Sequence, residues 1–303
     1  MKKQAALTHM LGLVGDGITT SASAALHETE GRELGMSVVY RPIDLLELGL
    51  DAARDLPDVL LWAKRLGFSG LNVTQPCKQL VIPLLDELSP RARELGAVNT
   101  VVFGRDGRSV GYNTDWCGFQ RGLEQARPGA ALGQNVVLVG GGGAGAAVAY
   151  ALLSMGARRL TIVEQFADRR RALVARMGEL FSPERVVEGV DIAVAMADAD
   201  GVVNASPVGM IHHVEGTPVP RELLRPHMWV ADCIYLPMET ELLRDARELG
   251  CVTIDGGGMV VGQATEAFWL FTGVQPDERR MRRHFLAGLA ETDAPELVPA
   301  SVH

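Results

Sequence analysis

The sequence predicts an α/β protein of two domains: an N-terminal α/β domain, then a Rossmann-type, doubly wound parallel sheet. Three observations carry this. The chain has 303 residues, more than a single core usually organises. Strand-like and helix-like segments alternate in two series, from residue 10 to about 112 and again from 135, the pattern of sheets covered by helices. The second series opens with an uncharged strand, glycine run and helix, NVVLVGGGGAGAAVAYALLSMGA, at 135–157.

In the first series MLGLVG reads as a strand and the run from Ser21 to Leu34 as a helix, with Ser21 placed to cap it. MSVVYRPI is strand-like, and LDAARDLPDVLLWAKRLG is helical with Pro57 as a break or start. FSGLNVT is a strand; KQLVIPLLDEL and SPRARELG read as helices, the second with Ser89 as cap and Pro90 at the first helical position. AVNTVVF and SVGYN form a hairpin around GRDGR, and Asp115 stands where a cap is expected before WCGFQRGL. In the second series the strands are NVVLV, LTIVE, RVV, DGVVNAS, MWVADCIY and CVTID, with a short helix near 191–198. Helices at about 258–272 and 276–290 follow, and TDAPELVPASVH reads as disordered. The expected division is 1–116, rejoined by 263–303, as one domain and 117–262 as the other.

Bulk composition excludes several classes. Apolar residues make up 47% and charged residues 22%, with net charge −8. A nucleic-acid partner would show a basic face, whereas a small anion needs only a local positive site. Cysteines 77, 117, 233 and 251 form no CxxC pair, so neither zinc nor a disulfide framework is implied and a reducing cytoplasm is expected. The seven histidines give no metal-spaced pair, and His212 and His213 read as solvated loop residues; no metal is expected. The N-terminus lacks the long apolar stretch of a signal peptide. The apolar run at 135–157 approaches membrane-span length, but glycines 140–143 split it, and a buried parallel strand feeding a packed helix accounts for it without a membrane.

Gly140, Gly142 and Gly145 fit G-x-G-x-x-G between a strand and a helix, with Gly143 and Ala144 in the same turn. Such a turn brings backbone close to a pyrophosphate and offers it the unpaired N–H groups of a helix N-terminus. Glu164, 24 residues beyond Gly140 at the end of RLTIVE, is near the spacing of the acid that binds the adenosine ribose. A carboxylate there repels a 2′-phosphate, so NAD is expected over NADP, although Arg169, Arg170 and Arg171 keep NADP open.

NVTQPCK at 72–78 resembles the N-V-T-x-P-x-K signature of the shikimate dehydrogenase family. TSAS at 20–23, GAVNT at 96–100, GYNTDWCGF at 111–119, NASPVGM at 204–210 and DGGGMVVGQA at 255–264 resemble further motifs of that family, in its order. The resemblance runs from about 11 to 287. Glu164, with ETELL and LFTG, is similar to the NAD-dependent quinate/shikimate dehydrogenase branch; EQF stands where the NADP-dependent biosynthetic branch has an Asn-Arg-Thr type of segment.

The resemblance implies hydride transfer between NAD and a ring hydroxyl of a cyclic hydroxy-carboxylate, shikimate or quinate. It implies Lys78 and Asp115 as the catalytic pair. Ser21 and Ser23 would meet the substrate carboxylate, with Tyr235 approaching from the cofactor side, and Asn72, Thr74, Asn99 and Gln263 would meet the ring hydroxyls. Ser206 and Gly256 would line the nicotinamide pocket. Thr20 and Ala24 replace the family's frequent His and Pro, and Gln75 replaces an apolar or His residue. The substrate alternatives are therefore shikimate, quinate or an aminoshikimate-type analogue. The functional alternatives are an NADP-dependent biosynthetic enzyme or a non-catalytic sensor of quinate or nucleotide. A monomer or homodimer is expected.

Overall fold

A computed structural model describes residues 8–211 and 216–292. His212, His213 and residues 293–303 of the tail expected to be disordered lie outside the described residues; Thr292, expected to open that tail, instead ends a helix. The strands are β1 (Thr8–Gly15), β2 (Ser37–Asp44), β3 (Phe68–Val73), β4 (Glu87–Leu88), β5 (Thr100–Phe103), β6 (Ser109–Tyr112), β7 (Asn135–Val139), β8 (Arg159–Val163), β9 (Val186–Gly189), β10 (Gly201–Asn204), β11 (Trp229–Asp232) and β12 (Val252–Ile254). The helices are α1 (Ser23–Glu33), α2 (Ala52–Arg65), α3 (Cys77–Leu80), α4 (Pro90–Leu95), α5 (Asp115–Ala126), α6 (Gly143–Ser154), α7 (Ala167–Leu180), α8 (Ile192–Met196), α9 (Glu241–Glu248), α10 (Gly257–Thr272) and α11 (Glu278–Thr292).

Among the described residues two six-stranded sheets result. The first has the order β2-β1-β3-β5-β6-β4. β1 pairs parallel with β2 and β3, while β5 runs antiparallel to β3 and β6. One face packs α2 residues Leu56, Leu60 and Ala63 against Leu71, Val73 and Val101. On the other, Leu11, Leu13 and Tyr40 meet Ala267 and Phe271 of α10. The second sheet is entirely parallel, ordered β12-β11-β10-β7-β8-β9. Its strands are covered on both sides, which explains their near-continuous apolar runs.

Several local expectations need correction. KQLVIPLLDEL is not one helix: α3 is a single turn, a 3-10 turn follows at Ile82–Leu84, and Glu87–Leu88 forms β4 beside β6. Pro83 cannot donate to a continuing helical ladder. Pro57 does not break α2, which runs through it from the Asp51 cap. The cap of α5 is Thr114, with Asp115 the first helical residue. Ala22, not Ser21, occupies the cap of α1, while Ser21 Oγ accepts from the Ser23 N–H at 3.3 Å. The Ser89 cap holds as expected, its Oγ accepting from Ala92 N–H at 3.2 Å.

Two helices tie the sheets together. α5 leaves the first sheet and α10 returns to it, and they cross at glycines. A Cβ on Gly118 would lie 2.6 Å from Gln263 N, and one on Gly258 would lie 2.9 Å from Gly122 Cα. α11 is locked onto α1 by fully buried Glu30, which accepts from Arg280 Nε at 2.8 Å and Asp277 N–H at 2.8 Å.

Candidate active site

The strand ends of the two sheets face each other, and the predicted residues of the first sheet gather there. Lys78, on the single turn α3 just after β3, donates from Nζ to Asp115 Oδ2 at 2.6 Å, with side chains only 18% and 8% exposed. Asp115 Oδ1 accepts from Asn99 Nδ2 at 2.9 Å, and the Asp115 N–H donates to Asn113 Oδ1 at 3.1 Å. Asn99 is itself held: its Oδ1 accepts from Thr114 N–H at 2.7 Å. Asn72 projects from β3 beside it, its Nδ2 donating to Thr100 Oγ1 at 3.2 Å. Thr74 donates its N–H to Val14 O at 2.9 Å, fixing the turn before Lys78. A lysine and carboxylate so paired and half sealed from water can exchange a proton with a hydroxyl in reach of either.

Ser21 and Ser23 stand side by side at the start of α1, Ser21 Oγ donating to Ser23 Oγ at 3.1 Å. Tyr235, on the loop after β11, lies within hydrogen-bonding reach of Ser21, and burial raises its phenol above the ordinary range. Its ring centroid is 6.0 Å from that of Phe285, so a side chain from the second sheet's loops packs on the first sheet's helices. Gln263 is half-buried on α10, its backbone against Gly118.

The second sheet's contribution is mostly backbone shape. Gly140 has φ +103°, and a Cβ there would lie 2.7 Å from the Ala205 carbonyl. At Gly145 a Cβ would lie 2.1 Å from Gly140 O. Gly142, by contrast, faces open space at the cap of α6, leaving a cradle that a ligand can approach. Gly256 is demanded by Ile234 O, 2.4 Å from where a Cβ would stand. Ser206 donates from Oγ to Asn204 Oδ1 at 2.7 Å. These segments meet where strand order reverses between β7 and β10, the position at which open α/β sheets bind ligands. Gly143 touches the other half: the Lys78 stem lies 3.1 Å from a Cβ placed there. Ala144 follows in the first turn of α6.

Glu164 lies one residue past β8 rather than on it. Its Oε2 accepts from Gly141 N–H at 2.8 Å and its Oε1 from Phe166 N–H at 3.0 Å. The neighbouring arginines are engaged. Arg170 donates to Glu164 O at 2.7 Å and Glu188 at 3.0 Å, Arg171 pairs with Asp168, and Arg169 stacks over Phe166 at 4.8 Å.

Sequence reasoning missed three residues. Asp232 is buried behind the Asn204–Ser206 turn, accepting from Asn204 Nδ2 at 3.0 Å, Ile234 N–H at 3.0 Å and Thr240 Oγ1 at 2.8 Å; burial pushes its carboxyl up to about 6. Tyr40 donates its hydroxyl to Asn72 Oδ1 at 2.9 Å. His27, fully buried, stacks on Tyr40 at 5.0 Å, with neither ring nitrogen partnered among the described residues. A buried aspartate at a strand end was a signal open to notice; nothing in MSVVYRPI or around His27 distinguishes the other two from core residues. Among the described residues there is no group of three or more His, Cys, Asp or Glu able to hold a metal ion. None of their helices is long and apolar enough to cross a membrane.

Fold and site together define a two-lobed α/β protein in which a dinucleotide-type glycine crevice faces a lysine–carboxylate pair. Comparison with known proteins agrees. Residues 13–101 match the model of the shikimate dehydrogenase substrate binding domain. The chain is 51% identical to the shikimate dehydrogenase (NADP(+)) of Pseudarthrobacter chlorophenolicus, over 92% of this chain and 94% of that protein. It is 49% identical to the quinate/shikimate dehydrogenase (NAD(+)) of Corynebacterium efficiens, over 92% and 98%. The structure of quinate dehydrogenase from Corynebacterium glutamicum in complex with NAD superposes with a TM-score of 0.84 at 47% identity, covering 92% of this chain and 99% of that one. The chain belongs to the shikimate dehydrogenase family.

Proposed function

We propose that this protein is an NAD-dependent dehydrogenase that oxidises a ring hydroxyl of quinate or shikimate to the ketone. The observation that carries this reading is the Lys78–Asp115 pair at 2.6 Å, lying against Gly143 of the cofactor-type turn. NAD, when bound, would supply the hydride acceptor. Gly142, Gly143, Ala144 and Gly145 would hold its pyrophosphate, Gly140, Ser206 and Gly256 would shape the nicotinamide wall, and Glu164 would meet the ribose. Ser21, Ser23 and Tyr235 would orient the substrate carboxylate, and Asn72, Thr74, Asn99 and Gln263 the ring hydroxyls. Lys78 and Asp115, bonded to each other, would together take the hydroxyl proton.

The domain division follows from the same reading: 1–116 with 263–303 for the substrate, 117–262 for NAD. The four unpaired cysteines suit a reducing, cytoplasmic setting. The NADP reading draws support from the Pseudarthrobacter relative; Glu164 and the engaged arginines weigh against it. The test is an initial-rate assay of quinate and shikimate, each with NAD⁺ and NADP⁺, on the wild type and Glu164→Ala. The expected result is turnover with NAD⁺, and a KM for NAD⁺ about tenfold higher in the variant. Turnover with NADP⁺ alone, or an unchanged KM, overturns the cofactor assignment; no turnover of either acid overturns the substrate.

A further inference from the structure

Tyr40 sits between the two anchoring groups of the substrate lobe without belonging to either. Its hydroxyl donates to Asn72 Oδ1 at 2.9 Å, and the Ser23 hydroxyl is within hydrogen-bonding reach of it. From Asn72 the bonds continue in one direction. Asn72 Nδ2 donates to Thr100 Oγ1 at 3.2 Å, Thr100 Oγ1 to Asn99 Oδ1 at 3.1 Å, and Asn99 Nδ2 to Asp115 Oδ1 at 2.9 Å.

The direction is fixed by backbone groups, which cannot exchange donor for acceptor. The Thr114 N–H obliges Asn99 Oδ1 to accept, at 2.7 Å, and the Asn99 carbonyl obliges Asn72 Nδ2 to donate, at 3.4 Å. Thr100 must then donate to Asn99, and the Tyr40 O–H is left to donate to Asn72. Burial raises the Tyr40 phenol, so its proton stays in place.

The ring is clamped as firmly as the hydroxyl. His27 lies parallel to it at 5.0 Å and 13°, and Phe268 stacks on the far side of His27 at 6.0 Å. The His27 ring nitrogens have no hydrogen-bond partner among the described residues; the ring serves here as an aromatic plate.

We infer that Tyr40 is a positioning residue of the reaction: its hydroxyl closes a one-way hydrogen-bond chain from the serine pair to Asp115 and thereby holds the Lys78–Asp115 pair in register. Without that hydroxyl, Asn72 Oδ1 is buried and loses its donor, a costly state that the amide relieves by moving. The displacement passes through Thr100 and Asn99 to the carboxylate.

The inference rests on the proposed dehydrogenase reading, and the test separates the two. Tyr40→Phe keeps the stacked ring and removes only the hydroxyl. The expected result is a kcat about tenfold lower for the acid that the wild type oxidises, with the KM for NAD⁺ unchanged. The double variant Tyr40→Phe/Asn72→Ser should be no slower than Asn72→Ser alone, because the chain is already broken. A readout independent of substrate is acetylation of Lys78 by acetic anhydride, followed by mass spectrometry in the wild type and in Tyr40→Phe; the loosened pair should label about threefold faster. Unchanged kcat with unchanged labelling, even if the melting temperature falls, overturns the inference and leaves Tyr40 a packing residue. A wild type inactive on both acids overturns the substrate reading instead, and the labelling rates then decide the role of Tyr40.

Discussion

The two sheets build their halves of the site by different physics. The second sheet uses backbone approach: Gly140, Gly145 and Gly256 each stand where a Cβ would lie under 3 Å from another main-chain atom. The first sheet uses side chains joined by hydrogen bonds, from β2, β3, β5, α3 and α5, with Lys78 and Asp115 37 residues apart. Shape made by backbone is intolerant of any added atom. Chemistry made by side chains is intolerant of particular losses. The contrast predicts that damage to the first sheet's site should remove rate while sparing the fold, and damage to the second's should remove both.

The largest effect expected is from Lys78→Ala. On the proposed reading the ammonium is the proton partner, so kcat should fall by about 10²–10⁴ while the melting temperature moves little. Stopped-flow and thermal melts decide it; a retained kcat would show that Asp115 acts without the lysine. Gly140→Ala comes next and tests the other half. At φ +103°, with the Ala205 carbonyl 2.7 Å from the new atom, destabilisation of about 1–3 kcal/mol is expected, together with weaker NAD binding by calorimetry. A variant that loses affinity at full stability would mean the loop yields locally.

His27→Phe should be the mildest at neutral pH and informative in acid. Burial depresses His27 from 6.5 to about 3. The folded state therefore refuses a proton that the unfolded chain accepts, so stability is intact above pH 6.5 and drains away as pH falls toward 3. Phenylalanine has no such proton, and urea unfolding across that window should become less steep with pH. An unaltered slope would show that other groups govern acid unfolding.

How much was legible beforehand follows the same division. The glycine turn could be read from spacing, because its physics is local: a strand, a tight turn and a helix within a dozen residues. Glu164 is proposed on the same local spacing; it stands just beyond its strand and braces Gly141 and Phe166. The proposed substrate side rests on resemblance; no periodicity joins Ser21, Asn72, Asn99 and Asp115. Tyr40 and His27 were invisible, because only strand order carries Tyr40 across β1 to Asn72. The misread KQLVIPLLDEL shows a proline overruling an apolar pattern.

The glycine crossing of α5 and α10 bears on how such proteins can be recombined. Gly118 rests on the backbone of Gln263 and Gly122 on that of Gly258, so neither helix fits a partner with larger residues at the facing positions. A chimera that imports the nucleotide-type sheet from an NADP-using relative must bring both helices as a matched pair, or restore glycine on each. Cut anywhere else, the two halves would meet with mismatched helices at the crossing where their backbones approach most closely.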